Sequence, residues 1–492
     1  MIGLYILYGI LAALGALILF MVLRTVFTRK PKLSASDFKP ADVDEKEITD
    51  ILVNAVRIPT VTKYKEGDDQ SSFPVYHAFL QKTFPEIFKR AEVTKIHDYS
   101  LIIKIKGTDE TLMPGCVLAH QDVVPAPKEG WDVDPFGGEI KDGYVYGRGS
   151  QDMKSQMMTA LYGLETILRE GREPKRTLYF CFGHDEEFQG KEGARYIVKH
   201  LKEQGTRFAF VLDEGGTILD GKLLGVDGKL ALIGTCEKGY ADYQLISVKD
   251  GGHASAPKKK SSVDAIADAI HDLRRSPMRA FWNKPMRELF ATIAPHMKPL
   301  YKFMFVNRNI LSPVIKFVMT MITPFTNSVM RTTFAFTQME GSTAVNVIPA
   351  KATANLNVRI NIGQTEEEVK AYIQKVVGKD IKVENIGLHF DPTPVSQTKG
   401  SEMYETLVKS ITDVYDGFIP APYPFPAATD AKYYYAISDN VYRFTPFEYT
   451  LDDQKRIHGL NERCEIASLT KATQFFRHFY ESSCFDQISY SN

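Results

Sequence analysis

Glu186 and Glu187 stand side by side in the stretch CFGHDEEFQG, at the end of an apolar, strand-like run. Adjacent carboxylates repel, and a carboxylate near a core is costly unless something positive compensates it. An Arg or Lys, a shared proton or a metal ion would serve. The stretch VLAHQDVV carries His120 and Asp122. On a strand these two face the same way, so Asp122 can take the second ring N–H of His120, as metal-bound imidazoles usually require. GRGSQDMK carries Asp152 at the start of a helical pattern, VLDEGG carries Asp213 at another strand end, and RIHGLNE carries His458. Singly, each has a plainer reading: a satisfied core histidine, a helix N-cap, turn chemistry or a salt-bridge pair. Together they are His, Asp, Glu, Asp and His at the ends of elements, a donor set that suits Zn2+ or a similar divalent ion. Two ions about 3.5–4 Å apart need a bridging carboxylate. Glu187 can then bind a cation while Glu186 points at the water as a base.

Such residues need a frame. From about 47 to 237 the chain alternates helical and strand-like patterns. YSLIIKIKG, GCVLAHQD, TLYFCFGHDEE and RFAFVLDEGG are short apolar runs ending in Asp, Glu, His or Gly. DMKSQMMTALYGLETILRE sets Met157, Ala160, Leu161, Leu164 and Leu168 on one helix face. The alternation predicts a three-layer α/β domain with a largely parallel sheet, whose ligands sit outside the carboxyl ends of the strands. From 238 to 390 the order becomes strand–helix–strand–strand–helix–strand, that of a small α+β (ferredoxin-like) sandwich. This unit reads as an insertion, because VYRFTPFEY and the last helix, within 391–492, fit the first domain again. Residues 281–326 are an apolar extra inside it.

Lys+Arg and Asp+Glu both number 60, so no basic surplus points to nucleic acid. The five cysteines form no CxxC pair and are odd in number, which argues against a disulfide framework or a thiolate zinc cluster. Met1 to Leu23 carries no charged side chain, and RTVFTRKPK comes next. A run of roughly 20 apolar residues crosses a hydrocarbon core. It lacks the basic n-region of a secretory signal. Residues 1–31 are therefore expected to be a single-pass anchor with a basic flank, followed by a polar linker over 32–46; secretion after cleavage is the alternative. The basic flank favours the cytoplasmic side for the rest of the chain.

AHQDVVPAP, GWDVDPFGGEIKDGYVYGRGSQDMK, GHDEEFQGKEGA, VLDEGG, GGHASAP, NVIPAKATANLNVRI and IHGLNE, in order from about residue 45 to 480, resemble the aminoacylase/carboxypeptidase S family of co-catalytic zinc peptidases. The resemblance implies two Zn2+ per subunit, with Co2+ or Mn2+ able to serve the same ligands. It implies His120 and Asp213 on one ion, Glu187 and His458 on the other, and Asp152 bridging. Asp122 would orient His120, and Glu186 would act as general base and acid. The Asp152–Met153 peptide would be cis. The inserted unit would be a lid and dimerisation domain, and His253 would reach the active site of the other subunit of a homodimer. Asn346 and Arg359 would contact substrate, Arg359 through its carboxylate. Thr429 and Asp430 match a substrate loop, in which Ala427, Ala428 and Lys432 replace the usual small residues and Arg.

The implied activity is hydrolysis, and reversible formation, of the amide bond of N-acyl amino acids. The apolar stretch over 296–326 favours a long acyl group, since burial gains about 0.8 kcal/mol per CH2. It would line an acyl groove, dip into a membrane surface or form lid or dimer core. A carboxypeptidase or dipeptidase with the same centre is the alternative; an inactive membrane-tethered binding protein of the same fold is the alternative from another class.

Overall fold

Alternate prolines mark one edge of the central sheet. The strand Ile419–Phe425, IPAPYPF, has Pro420, Pro422 and Pro424 and pairs on one side only, with Lys229–Glu237. Proline lacks the N–H that a central strand needs, so this sequence belongs at an edge. The computed structural model describes residues 1–31, 38–62 and 68–485; of the expected linker, 32–37 lie outside the described residues. The sheet has nine strands. Its middle runs Leu178–Gly183, Gly115–His120, Phe210–Asp213 and Val441–Arg443, all parallel. The flank Ala91–Ile96 and Ser100–Ile105 is antiparallel. The central strands Gly115–His120, Leu178–Gly183 and Phe210–Asp213 are buried along their whole length, which is why they read as apolar runs without alternation.

Helix Lys154–Arg169 covers one face. The sequence shows one apolar stripe on it, but nearly every side chain is buried, Lys154 and Glu165 included. Lys154 Nζ donates to the Ala55 and Ile58 carbonyls, and Glu165 accepts the N–H groups of Glu86 and Ile87. These bonds let charged residues sit in a packed layer. Helix Ile466–Tyr480 lies against it, with Tyr480 Oη donating to the Ala160 carbonyl.

A second sheet orders its strands Thr333–Glu340, Lys351–Ile360, Gly239–Val248 and Lys382–Phe390, all antiparallel. Helices Ser262–Arg275 and Glu366–Val377 pack on it, their starts closed by capping boxes at Ser261 and Thr365. A two-residue ribbon joins Gly252–His253 to Val347–Ile348.

The apolar extra packs away from this second sheet, which its helices do not complete. Met286, Phe290, Phe305, Ile315 and Met319 instead share one apolar core with Leu230, Leu232, Ile419 and Tyr423 of the large sheet, and helix Lys284–Ile293 makes the contact with the strand Ile419–Phe425. The proline-bearing edge needs an apolar cover, and this segment supplies it. Helix Ile2–Phe27 is long and apolar enough to cross a membrane, a property that a signal sequence shares. Its free stretch is exposed, and its end docks on the extra segment: Asn307 Nδ2 donates to the Met21 carbonyl and Thr25 Oγ1, and Lys302 Nζ to the Thr28 carbonyl. The five cysteines are free and buried.

Candidate metal centre

The carboxyl ends of the parallel strands converge. His120 is the last residue of its strand, Glu186 and Glu187 come just after the next, and Asp213 ends a third. His120 Nε2 lies 3.1 Å from Asp152 Oδ1, and His458 Nε2 lies 3.1 Å from Asp152 Oδ2 and 2.9 Å from Glu187 Oε2. One carboxylate thus offers its two oxygens to two imidazoles. His458 holds a positive φ of 59°, on the tight turn after helix Leu451–Arg456. The Asp152–Met153 peptide is cis. Two groups, His120–Asp152–Glu187 and His120–Glu186–Glu214, each set their donor atoms within 4.8 Å of one another.

Glu214, which the sequence reading did not single out, stands in the cluster, while the carboxylate of its neighbour Asp213 turns to the backbone. Asp213 Oδ1 accepts the N–H of Glu214, and Oδ2 accepts the N–H of Ala431. An aspartate at a strand end closes a turn on its own backbone. The next acid then faces the open end: Glu214 Oε1 stands 3.4 Å from His120 Nε2. The Gly-Gly at the end of VLDEGG is the signal that a turn begins there.

The supports are specific. His120 Nδ1 donates to the Asp122 backbone carbonyl at 2.8 Å, while the Asp122 carboxylate lies 3.5 Å away. That carboxylate accepts the N–H groups of Glu186 and Glu187 instead. So Asp122 orients His120 chiefly through its main chain and anchors the two glutamates with its side chain. Glu462, of the IHGLNE motif, accepts the N–H groups of Gln151 and Asp152 and pairs with buried Arg148 at 2.5 Å.

Thr429 donates to buried Glu237, which pairs with Arg443. Asp430 is 5% exposed, and its carboxylate fills the space that side chains at Gly183 and Gly190 would take. Lys432 donates to the Thr429 carbonyl. The Thr429 and Asp430 side chains are both buried, and Asp430 Oδ1 has no hydrogen-bond partner among the described residues.

The electrostatics call for positive charge. Burial pushes Glu186 well above the usual carboxylate range and Glu214 up to about 8. Burial also raises Glu187, whose Oε1 is buried with no hydrogen-bond partner. Hydrogen bonds to Asp152 and Glu187 raise His458 to about 10. Burial opposes charge on His120, yet Glu214, Asp122 and Asp152 outweigh it and raise its pKa. An acid cluster with an orphaned buried oxygen and two imidazoles fits divalent cations.

The remaining residues lie on the second sheet or at the small ribbon. Arg359 sits 4.7 Å over the Tyr240 ring, which stacks on Phe390; Lys432 Nζ lies 5.9 Å from the Phe390 ring centre. Burial lowers the Arg359 pKa, and its guanidinium has no ion-pair partner among the described residues. His253 and Asn346 are exposed on the small ribbon, where the Ala254 N–H donates to the Asn346 carbonyl. His253 Nδ1 bonds the Ser255 hydroxyl. Neither joins the acid cluster within this chain.

The profile of peptidase family M20/M25/M40 matches residues 116–482. The N-fatty-acyl-amino acid synthase/hydrolase PM20D1 of Xenopus tropicalis is 36% identical over 452 residues, covering 91% of this chain and 88% of that protein. The M20 family metallo-carboxypeptidase Sso-CP2 from Sulfolobus solfataricus has the same fold, with a TM-score of 0.66 at 18% identity, over 89% of this chain and 99% of that one. A dinuclear metal-binding M20 peptidase from Bacillus subtilis matches with a TM-score of 0.55 at 14% identity, over 88% and 98%.

Proposed function

The chain belongs to peptidase family M20/M25/M40, and from that premise we propose that it hydrolyses, and in reverse forms, the amide bond of N-fatty-acyl amino acids. One observation carries the chemistry: two imidazoles share the opposite oxygens of Asp152, with Glu186 beside them. The substrate class rests on the 36% identity with the amphibian synthase/hydrolase.

Two divalent ions, zinc by this mixture of imidazole and carboxylate donors, would supply an activated water and polarise the amide carbonyl. His120 and Glu214 would hold one, Glu187 and His458 the other, and Asp152 both. Asp122 and Glu462 keep these ligands in place through their bonds to the backbone. Glu186 takes a proton from the attacking water and returns it to the leaving nitrogen. A carboxyl that burial has raised suits both roles. Arg359, a half-buried cation that forms no ion pair among the described residues, binds the amino-acid carboxylate. His253 and Asn346 act from the second copy in a homodimer. Their exposure supports this, as does the lack of a partner for His253 Nε2 among the described residues. Helix Ile2–Phe27 is a retained membrane anchor, a reading supported by its hydrogen bonds to Asn307 and Lys302.

The test compares amino-acid release from N-oleoyl-phenylalanine with that from a Gly-X dipeptide, using zinc-loaded full-length chain in detergent. Faster release from the oleoyl substrate is expected. Glu186→Gln should reduce it about 10²–10⁴-fold, the usual share of a general base, with metal content unchanged. Preference for the dipeptide would make the protein a membrane-tethered carboxypeptidase.

A further inference from the structure

The N-terminal helix and the apolar extra segment meet at a defined level. Residues 2–20 are exposed, and Met21 is the first buried residue. At 1.5 Å per residue that free stretch measures about 28 Å, close to the ~30 Å of a hydrocarbon core. The membrane surface therefore lies near Met21 if the helix spans. Met21 is where Asn307 bonds the helix, and Asn307 sits in the turn between helices Pro299–Val306 and Ser312–Ile322.

Those helices present a second apolar face outward. Ile315 and Met319 are buried in the apolar core that this segment shares with the large sheet, while Val314, Phe317 and Met321 are 57%, 67% and 72% exposed. The exposed three repeat at i, i+3 and i+7, one stripe of a helix. Leu300, Ile322 and Phe325 extend the exposed surface. The charge is equally one-sided. From Leu289 through Met339 there is no Asp or Glu, while Lys298, Lys302, Arg308, Lys316 and Arg331 are present. Arg24, just beyond the free stretch, is close enough to help lower the Arg308 pKa, which burial chiefly lowers. A helix with an outward apolar stripe among cations and no acids is the pattern of a segment lying in a lipid interface.

We infer that helices Pro299–Val306, Ser312–Ile322 and Pro324–Met330 form a platform seated in the headgroup region of an anionic bilayer, beside the membrane-spanning helix. The inference rests on the anchor reading. It gives the catalytic sheet a fixed seat on the membrane, because the buried side of the same helices shares one apolar core with helix Lys284–Ile293, and that helix packs on the edge strand Ile419–Phe425. A long-chain N-acyl amino acid dissolved in the bilayer then reaches the enzyme laterally, without first entering water.

Full-length protein in phosphatidylcholine/phosphatidylserine vesicles tests this. Phe317→Cys, Leu11→Cys and the distant exposed Lys141→Cys each receive an environment-sensitive fluorophore; the native thiols are buried and stay unlabelled. Lipids spin-labelled near the headgroup serve as quencher for positions 317 and 141, and lipids spin-labelled deep in the acyl chain for position 11. Emission at 317 should be blue-shifted and quenched at least twofold, with 141 unaffected. A blue shift at 317 without lipid quenching means that protein, such as a second copy, covers the face, and overturns the platform. Water-like emission at 317 with quenching at 11 overturns the platform but keeps the anchor. No quenching at 11 overturns both.

Discussion

Glu214→Gln keeps the side-chain shape and removes one ligand charge, whereas Asp213→Asn alters only a group that holds the turn. The first should release one of two ions and abolish turnover. The second should weaken metal binding about 10–100-fold, as loss of an outer support does. Metal analysis after dialysis against a weak chelator separates them; the reverse ranking would restore Asp213 as ligand. The pair also shows what a sequence resolves at this scale. Residue type and approximate place were legible for His120, Asp152, Glu187 and His458, because each ends an element in a recognisable motif. Which of two adjacent acids turns inward depends on the turn, and that turn is made by the Asp213 carboxylate on its neighbour's N–H. For Thr429 and Asp430 the loop motif was visible, but the burial of Asp430 beside Gly183 and Gly190 was not.

At the scale of elements, the strand ends work only because their backbones approach closely. Gly183 ends its strand, and a Cβ there would strike the Asp430 carboxylate; Gly190, at φ 65°, meets the same group. Gly183→Ala forces the buried loop of Asp430 outward. It should cost about 1–3 kcal/mol, the usual penalty of overpacking, read as a lower urea midpoint at unchanged slope. An unchanged midpoint would mean that the Asp430 loop yields freely. The alternation of helix and strand was readable because the central strands are buried on both faces and the helices between them carry strong apolar periodicity. The second sheet was readable for a different reason, its regular strand and helix lengths. The apolar extra was not. Its composition gave a buried face and an exposed face the same look, and only the proline-bearing edge at Ile419–Phe425 explains where the buried face goes.

Across the whole molecule, the acid cluster couples stability to metal and pH with opposite signs in the two forms. After chelation, Glu214 keeps a proton up to about pH 8, while the unfolded chain loses it near ~4.3. Between those values the folded state binds more protons than the unfolded, so stability falls as pH rises. His458, raised to about 10, acts in the same direction above its unfolded value near ~6.5. Asp152, held below the usual range, acts oppositely, but only in strong acid. The chelated protein should therefore melt at a lower temperature at pH 8 than at pH 5.5. With ions bound the ligands must be deprotonated, so affinity, and with it stability, rises over the same interval. Thermal unfolding of both forms at the two pH values reads the crossing directly. Parallel slopes would mean that the carboxylates and imidazoles at the strand ends satisfy one another without cations, and the centre would then be a structural ion-pair network rather than a metal site.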